Sequence, residues 1–168
     1  MKITTTCIGA YPKPDYIEIG NFAETEDQDS SDTRAFTYTQ DSAEQVAEEL
    51  LVRATQAAIQ DQLDCGIDIP TDGEQRRENY IHYHCRNLEG VDFTNLTNKV
   101  HRNGAAVADL PTINARIVPR GNHFLDRDFT IAQSFSNKPV KITVPGPLSI
   151  IDTTANDYYA TAVSYTHL

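Results

Sequence analysis

Ile67-Asp68-Ile69-Pro70-Thr71-Asp72-Gly73-Glu74-Gln75-Arg76-Arg77 is the stretch that decides the reading of this chain. Apolar and polar residues alternate and stop at a proline, which predicts a short strand over 67–70. A dense polar knot follows, and the next stretch, 79–88, predicts a helix. A strand that hands two acids and two arginines to a turn before a helix has the pattern of a β/α unit, whose strand end faces a ligand.

Upstream, Asp41-Ser42-Ala43-Glu44 can cap a helix, because a side-chain oxygen satisfies free backbone amides while the early acids face the positive end of the dipole. The helix runs to about Leu63. Val46, Leu50, Ala54, Ala57 and Ala58 form its apolar stripe, and Gly66 supplies the stop. The β-branched run 3–8 predicts another short strand, closed by Gly9 and by Tyr11-Pro12-Lys13-Pro14. Between them, 21–34 is acidic and polar and reads as a solvated loop.

Downstream, 91–120 alternates like strands broken by Asn103-Gly104 and Pro111, a β-excursion. A short helix is expected over 129–135 and a strand over 139–144, closed by Pro145-Gly146-Pro147, with a last helix beginning near Leu148. This order is that of parallel β/α units with right-handed crossovers. The expected class is α/β: a partial (β/α)8 TIM barrel holding the first three to four β/α units, with a β-excursion after the second, in one domain over 1–168. A closed barrel takes about 250 residues. The chain ends inside an expected helix without a cap, so a truncated frame whose last residues are foreign is expected. Half a barrel leaves strand edges and apolar faces uncovered, so aggregation or marginal folding is expected too.

The chain has 168 residues, 39% hydrophobic and 23% charged, which suits one globular unit rather than disorder. A net charge of -10 argues against nucleic acid and anionic membrane surfaces as main partners. No run approaches the roughly 18 to 20 apolar residues of a membrane span, and the N-terminus lacks a signal-peptide core, so a cytoplasmic location is expected. Cys7, Cys65 and Cys85 show no paired spacing and read as reduced thiols.

Polar residues gather after each predicted strand: Gly9-Ala10-Tyr11, Asp72-Gly73-Glu74 and Gly146-Pro147-Leu148-Ser149. Glu74 reads as a carboxylate that holds a substrate amino group, with Asp72 or Arg77 fixing its geometry; the alternative is an exposed acidic turn paired with Arg76 or Arg77. His82, His84 and Cys85 are zinc-ligand types, but only His82 and Cys85 have helical spacing for a shared site, so the alternative is packed helix residues. Arg116 either grips a carboxylate or phosphate-like group or lies on the surface.

Three stretches taken together resemble one family. Thr5-Thr6-Cys7-Ile8-Gly9-Ala10-Tyr11-Pro12, Asp68 to Tyr80 with its Gly-Glu pair followed by arginine, and Pro139-Val140-Lys141-Ile142-Thr143-Val144-Pro145-Gly146-Pro147 resemble, in order, landmarks of the catalytic barrel of cobalamin-independent methionine synthase and its single-barrel relatives. The resemblance implies methyl transfer from a methylated folate or similar donor to a thiol such as homocysteine, held as thiolate on zinc, in methionine biosynthesis. Zinc lowers a thiol's pKa and delivers a nucleophile at neutral pH. It further implies substrate contacts at Ile8, Gly9, Ala10 and Glu74, with Arg116 near the donor site, and Asp72 beside Glu74 is expected to line the same substrate site. The zinc ligands would lie in the barrel's second half, so this stretch would supply substrate binding without catalytic or metal-binding residues of its own. Ala10 replaces a usual serine, and Thr153 or Thr154 stands where a folate-stacking tryptophan would; the chain has no Trp. These departures weigh against folate as the donor, while the Asp-Gly-Glu-Gln-Arg-Arg form resembles that of the short relatives and so implies another acceptor, such as coenzyme M, as an alternative; a non-catalytic barrel paralogue is a further one. A porphyrinogen-decarboxylase-like barrel should lack the Asp-Gly-Glu-Gln-Arg-Arg run.

Overall fold

The computed structural model describes residues 3–17, 47–101 and 106–161. The expected cap at 41–44, the acidic loop 21–34, the Asn103-Gly104 turn and the chain end at 162–168 lie outside these. The chain divides into two compact units. Among the described residues, the first takes 3–17, 47–77 and 123–143, the second 78–101, 106–122 and 144–161.

In the first unit, α1 (Ala47–Asp64) buries Ala54, Thr55, Ala58, Ile59 and Gln62, a spacing that puts all five on one helical face. Ala57, expected on that stripe, is exposed. The helix ends with Gly66 N–H donating to the Leu63 carbonyl and Ile67 N–H to that of Gln62, which satisfies carbonyls the helix leaves open. α3 (Phe124–Ser134) begins several residues before the expected 129–135. Ile59, Ala132 and Val140 form the core, joined by Leu63 and Phe135.

The expected strands lie parallel, but as single bridges: Thr6 with Ile69, and Thr71 with Lys141. Continuous ladders do not form there because side chains take up the backbone groups. Thr5 and Asp68 exchange bonds through Thr5 N–H to Asp68 Oδ2 and Asp68 N–H to Thr5 Oγ1, both 3.1 Å. Thr6 Oγ1 donates to the Ile69 carbonyl, Lys138 Nζ to that of Ile67 and Lys141 Nζ to that of Cys7. Pro70 has no N–H to contribute.

In the second unit, the helix expected over 79–88 is reduced to α2 (His82–Cys85). Asn79 Oδ1 accepts from the amides of Ile81 and His82, and Asn87 Nδ2 donates to the Tyr83 carbonyl, so side chains close the single turn at both ends. β1 (Leu88–His101) and β2 (Ala106–Pro119) then pair antiparallel, the excursion read from the sequence. The register shifts between Glu89 and Val91 and again between Asp92 and Thr97. At the second shift the Asp92 carboxylate accepts from the amides of Thr94 and Asn95 and from the Asn114 side chain, which draws this stretch off the ladder.

The last helix, expected to continue from near Leu148, is α4 (Pro147–Asp152), six residues long. Lys99 Nζ donates to the carbonyls of Ile151, Asp152 and Thr154, capping its end. The chain turns there into β3 (Ala155–Asn156), parallel to β2. Ile81, Cys85, Val91 and Ile113 form this unit's core. Among the described residues, no helix is long and apolar enough to cross a membrane.

Candidate functional site

The turn after the 67–71 segment is buried throughout, from Thr71 to Glu78. An exposed acidic turn is therefore excluded, since Asp72 is 4% and Glu74 6% exposed. Burial of carboxylates needs partners, and the turn supplies them. Glu74 N–H donates to Asp72 Oδ1 at 3.2 Å, and Arg77 N–H to the Glu74 carbonyl at 3.0 Å. Arg77 stands between the two acids, with Nη2 3.6 Å from Asp72 Oδ2 and Nη1 3.8 Å from Glu74 Oε1. Arg76 points elsewhere, as a bidentate fork on Glu48 at 2.7 and 2.8 Å with Nε 3.7 Å from Asp128.

Burial raises the Asp72 carboxyl above the ordinary aspartate value; Arg77 and the Glu74 amide oppose this, while Glu74 and Asp128 add to it. The Glu48 carboxyl is lowered by its hydrogen bond from Arg76.

Thr143 is the group that reading the sequence did not single out. Its hydroxyl donates to Glu74 Oε1 at 2.7 Å and accepts from Arg77 Nη1 at 2.9 Å. Among the described residues, the contacts to the Glu74 carboxylate from Thr143 and Arg77 fall on Oε1. The signal available was period two in the predicted 139–144 strand, which puts Lys141 and Thr143 on one side.

Ile8, Gly9 and Ala10 follow the Thr6 bridge and are exposed, Ile8 at 88%. The loop they enter is tied to the acidic turn: Tyr11 N–H donates to the Gly73 carbonyl at 2.9 Å, and Gln75 Nε2 to the carbonyls of Tyr11 and Pro12 at 3.2 Å. Lys13 Nζ donates to the carbonyls of Glu74 and Gln75. Asp72 and Glu74 are brought together. Arg116 sits exposed on β2 in the second unit.

His82, His84 and Cys85 are packed residues. His82 Nε2 lies 3.2 Å from the Thr153 carbonyl and His84 Nδ1 2.7 Å from that of Tyr80, bonds that hold both rings in the packing of the second unit. Burial pushes the Cys85 thiol up to about 12, far from thiolate chemistry. Among the described residues no group of three or more His, Cys, Asp and Glu could hold a metal ion, so the donors here do not fit zinc. Thr153 and Thr154 turn their hydroxyls onto the carbonyls of Ser149 and Ile150.

Residues 3–161 match the family described as cobalamin-independent synthase, catalytic domain. Over 158 residues the chain is 30% identical to a methionine synthase of Saccharolobus solfataricus, covering 94% of this chain and 42% of that protein. It is 28% identical over 160 residues to the methionine synthase of Sulfolobus acidocaldarius, covering 95% and 42%. A solved B12-independent methionine synthase from Shewanella sp. W3-18-1, in complex with selenomethionine, superposes with a TM-score of 0.73 at 25% identity, over 96% of this chain and 43% of that one. The chain therefore spans about 42% of the length of the curated relatives it matches.

Proposed function

Because the chain belongs to the cobalamin-independent methionine synthase family, through its catalytic domain, we propose that it forms the opening β/α units of a (β/α)8 barrel that transfers a methyl group to a small thiol. The three parallel segments around Ile69 are the first strands, α1 and α3 the crossovers, and the β1–β2 hairpin an excursion after the second strand. The donor is a methylated folate or a similar small molecule. The acceptor is an amino-acid thiol such as homocysteine.

The observation that carries this reading is the pair of buried carboxylates, Asp72 and Glu74, at the end of the central segment and sharing one guanidinium. With Oε1 of Glu74 engaged by Thr143, Oε2 is the oxygen that takes a substrate's ammonium. Asp72 fixes the turn through the Glu74 amide and balances Arg77. Ile8, Gly9 and Ala10 supply backbone toward the same ligand, held by the Tyr11–Gly73 bond. Arg116 is assigned to the donor side. Zinc has no ligands among these residues, and their work is to bind and orient the amino acid.

Glu74→Gln is the test. The amide keeps an oxygen for Thr143 and turns an N–H2 toward the ammonium, so homocysteine binding by calorimetry in the intact protein should weaken about tenfold or more. Unchanged affinity overturns the assignment. An acceptor without an amino group, such as coenzyme M, would be indifferent to this substitution, so tight coenzyme M binding unaffected by Glu74→Gln would favour that acceptor instead.

A further inference from the structure

The Thr143 hydroxyl owns one proton and lies between two groups of fixed role. A guanidinium can only donate, so at 2.9 Å the Thr143 oxygen accepts from Arg77 Nη1. The proton is then committed to Glu74 Oε1 at 2.7 Å, which makes Oε1 an acceptor and fixes the direction of the whole relay. Arg77 Nη1 itself stands 3.8 Å from Oε1, beyond a hydrogen bond, so threonine is what joins guanidinium to carboxylate.

The backbone makes this bond decisive. Glu74 has a left-handed φ of 54°, held by the Asp72 side chain on its amide, so the origin of its side chain is set. The carboxylate's orientation is then chosen by whatever holds Oε1. Thr143 reaches it from a segment two residues past the Thr71–Lys141 bridge, on the same side as Lys141, whose Nζ holds the Cys7 carbonyl.

Resting on the reading of Glu74 as the ammonium-binding carboxylate, we infer that Thr143 is a specificity-determining positioning residue: by occupying Oε1 it presents Oε2 to the substrate and selects thiols that carry an α-amino group over those that do not. Thr143→Val removes the hydroxyl at similar volume, and Thr143→Ser keeps it. By calorimetry on the intact protein, Thr143→Val should weaken homocysteine binding about tenfold, the worth of a hydrogen bond to a charged group. It should leave 4-mercaptobutyrate, the same thiol without the amino group, unchanged, and Thr143→Ser should restore homocysteine. Equal weakening of both thiols, or no rescue by serine, overturns the inference. If the valine variant does not fold, Thr143→Ala must show the same split between the two thiols. Glu74→Gln run in parallel separates the two levels. If it leaves homocysteine binding intact, the reading of the site fails; if it weakens binding and Thr143→Val does not, the role of Thr143 alone fails.

Discussion

A side chain at residue 73 would have nowhere to go. Gly73 has φ +65°, and a Cβ there would stand 2.8 Å from Tyr11 Cβ and 2.9 Å from Ala58 Cβ. Both obstacles are fixed to the backbone and cannot swing aside. Gly73→Ala should therefore destabilise the protein by about 2 kcal/mol or more, from overpacking and a disfavoured φ together. Thermal denaturation checks this, and a change near zero would mean that the loop carrying Tyr11 yields easily. The next residue, Glu74, keeps a left-handed φ without glycine's freedom, which costs on the order of 1 kcal/mol. Such strain persists where surroundings over-determine it, and here the Asp72 carboxylate, Lys13 and Thr143 all hold Glu74. The Gly-Glu pair was legible as a turn after a strand. The strain at Glu74 and its third holder were not, because period two places Thr143 only beside Lys141, and its bond to Glu74 spans 69 positions.

At the scale of elements, the hairpin is where alternation was readable and registry was not. β-branched and polar residues alternating over 91–120 announce strands, but the offsets at Glu89/Val91 and Asp92/Thr97 depend on side chains across the ladder. Gly90 sits at the first offset with φ +84°, and a Cβ there would meet the Arg116 and Ala115 carbonyl oxygens at 2.5 and 2.8 Å. Those are backbone atoms of the partner strand. Gly90→Ala should push β1 from β2 at this end and cost about 2 kcal/mol or more, with amide exchange accelerating at Glu89 and Val118, which pair there. Exchange unchanged at both would refute the clash. The shortness of α2 and α4 has a related cause. Apolar residues at helical spacing predicted longer helices, yet side-chain bonds from Asn79, Asn87 and Lys99 close each after a turn or two.

For the molecule as a whole, the buried titratable groups pull stability in opposite directions with pH. Burial lowers His82 to about 4 from 6.5, opposed by the Thr153 carbonyl and reinforced by Arg86. A group depressed in the folded state stabilises above its unfolded value and loses that contribution as pH falls toward 4. Between pH 7 and pH 5 this amounts to about 2 kcal/mol. Asp72 and Glu78, raised by burial, act the other way, favouring the fold as they take up protons on acidification. His82→Gln isolates the histidine: its loss of stability from pH 7 to pH 5, by urea denaturation, should be smaller than wild type by about 2 kcal/mol. Equal losses would show that His82 is not buried neutral.

The amino-acid sequence determined by itself the order of strands and helices, the family landmarks and the carboxylates at 72 and 74, because periodicity and turn chemistry are written in residues a few places apart. Tertiary structure alone decided that those acids are buried rather than exposed, that parallel strands meet as single bridges, and that Thr143 orients Glu74. Each of these depends on groups far apart along the chain; Thr143 and Glu74 are separated by 69 positions. Burial and long-range hydrogen bonds are properties of what folding brings together, and no local pattern of residues records them.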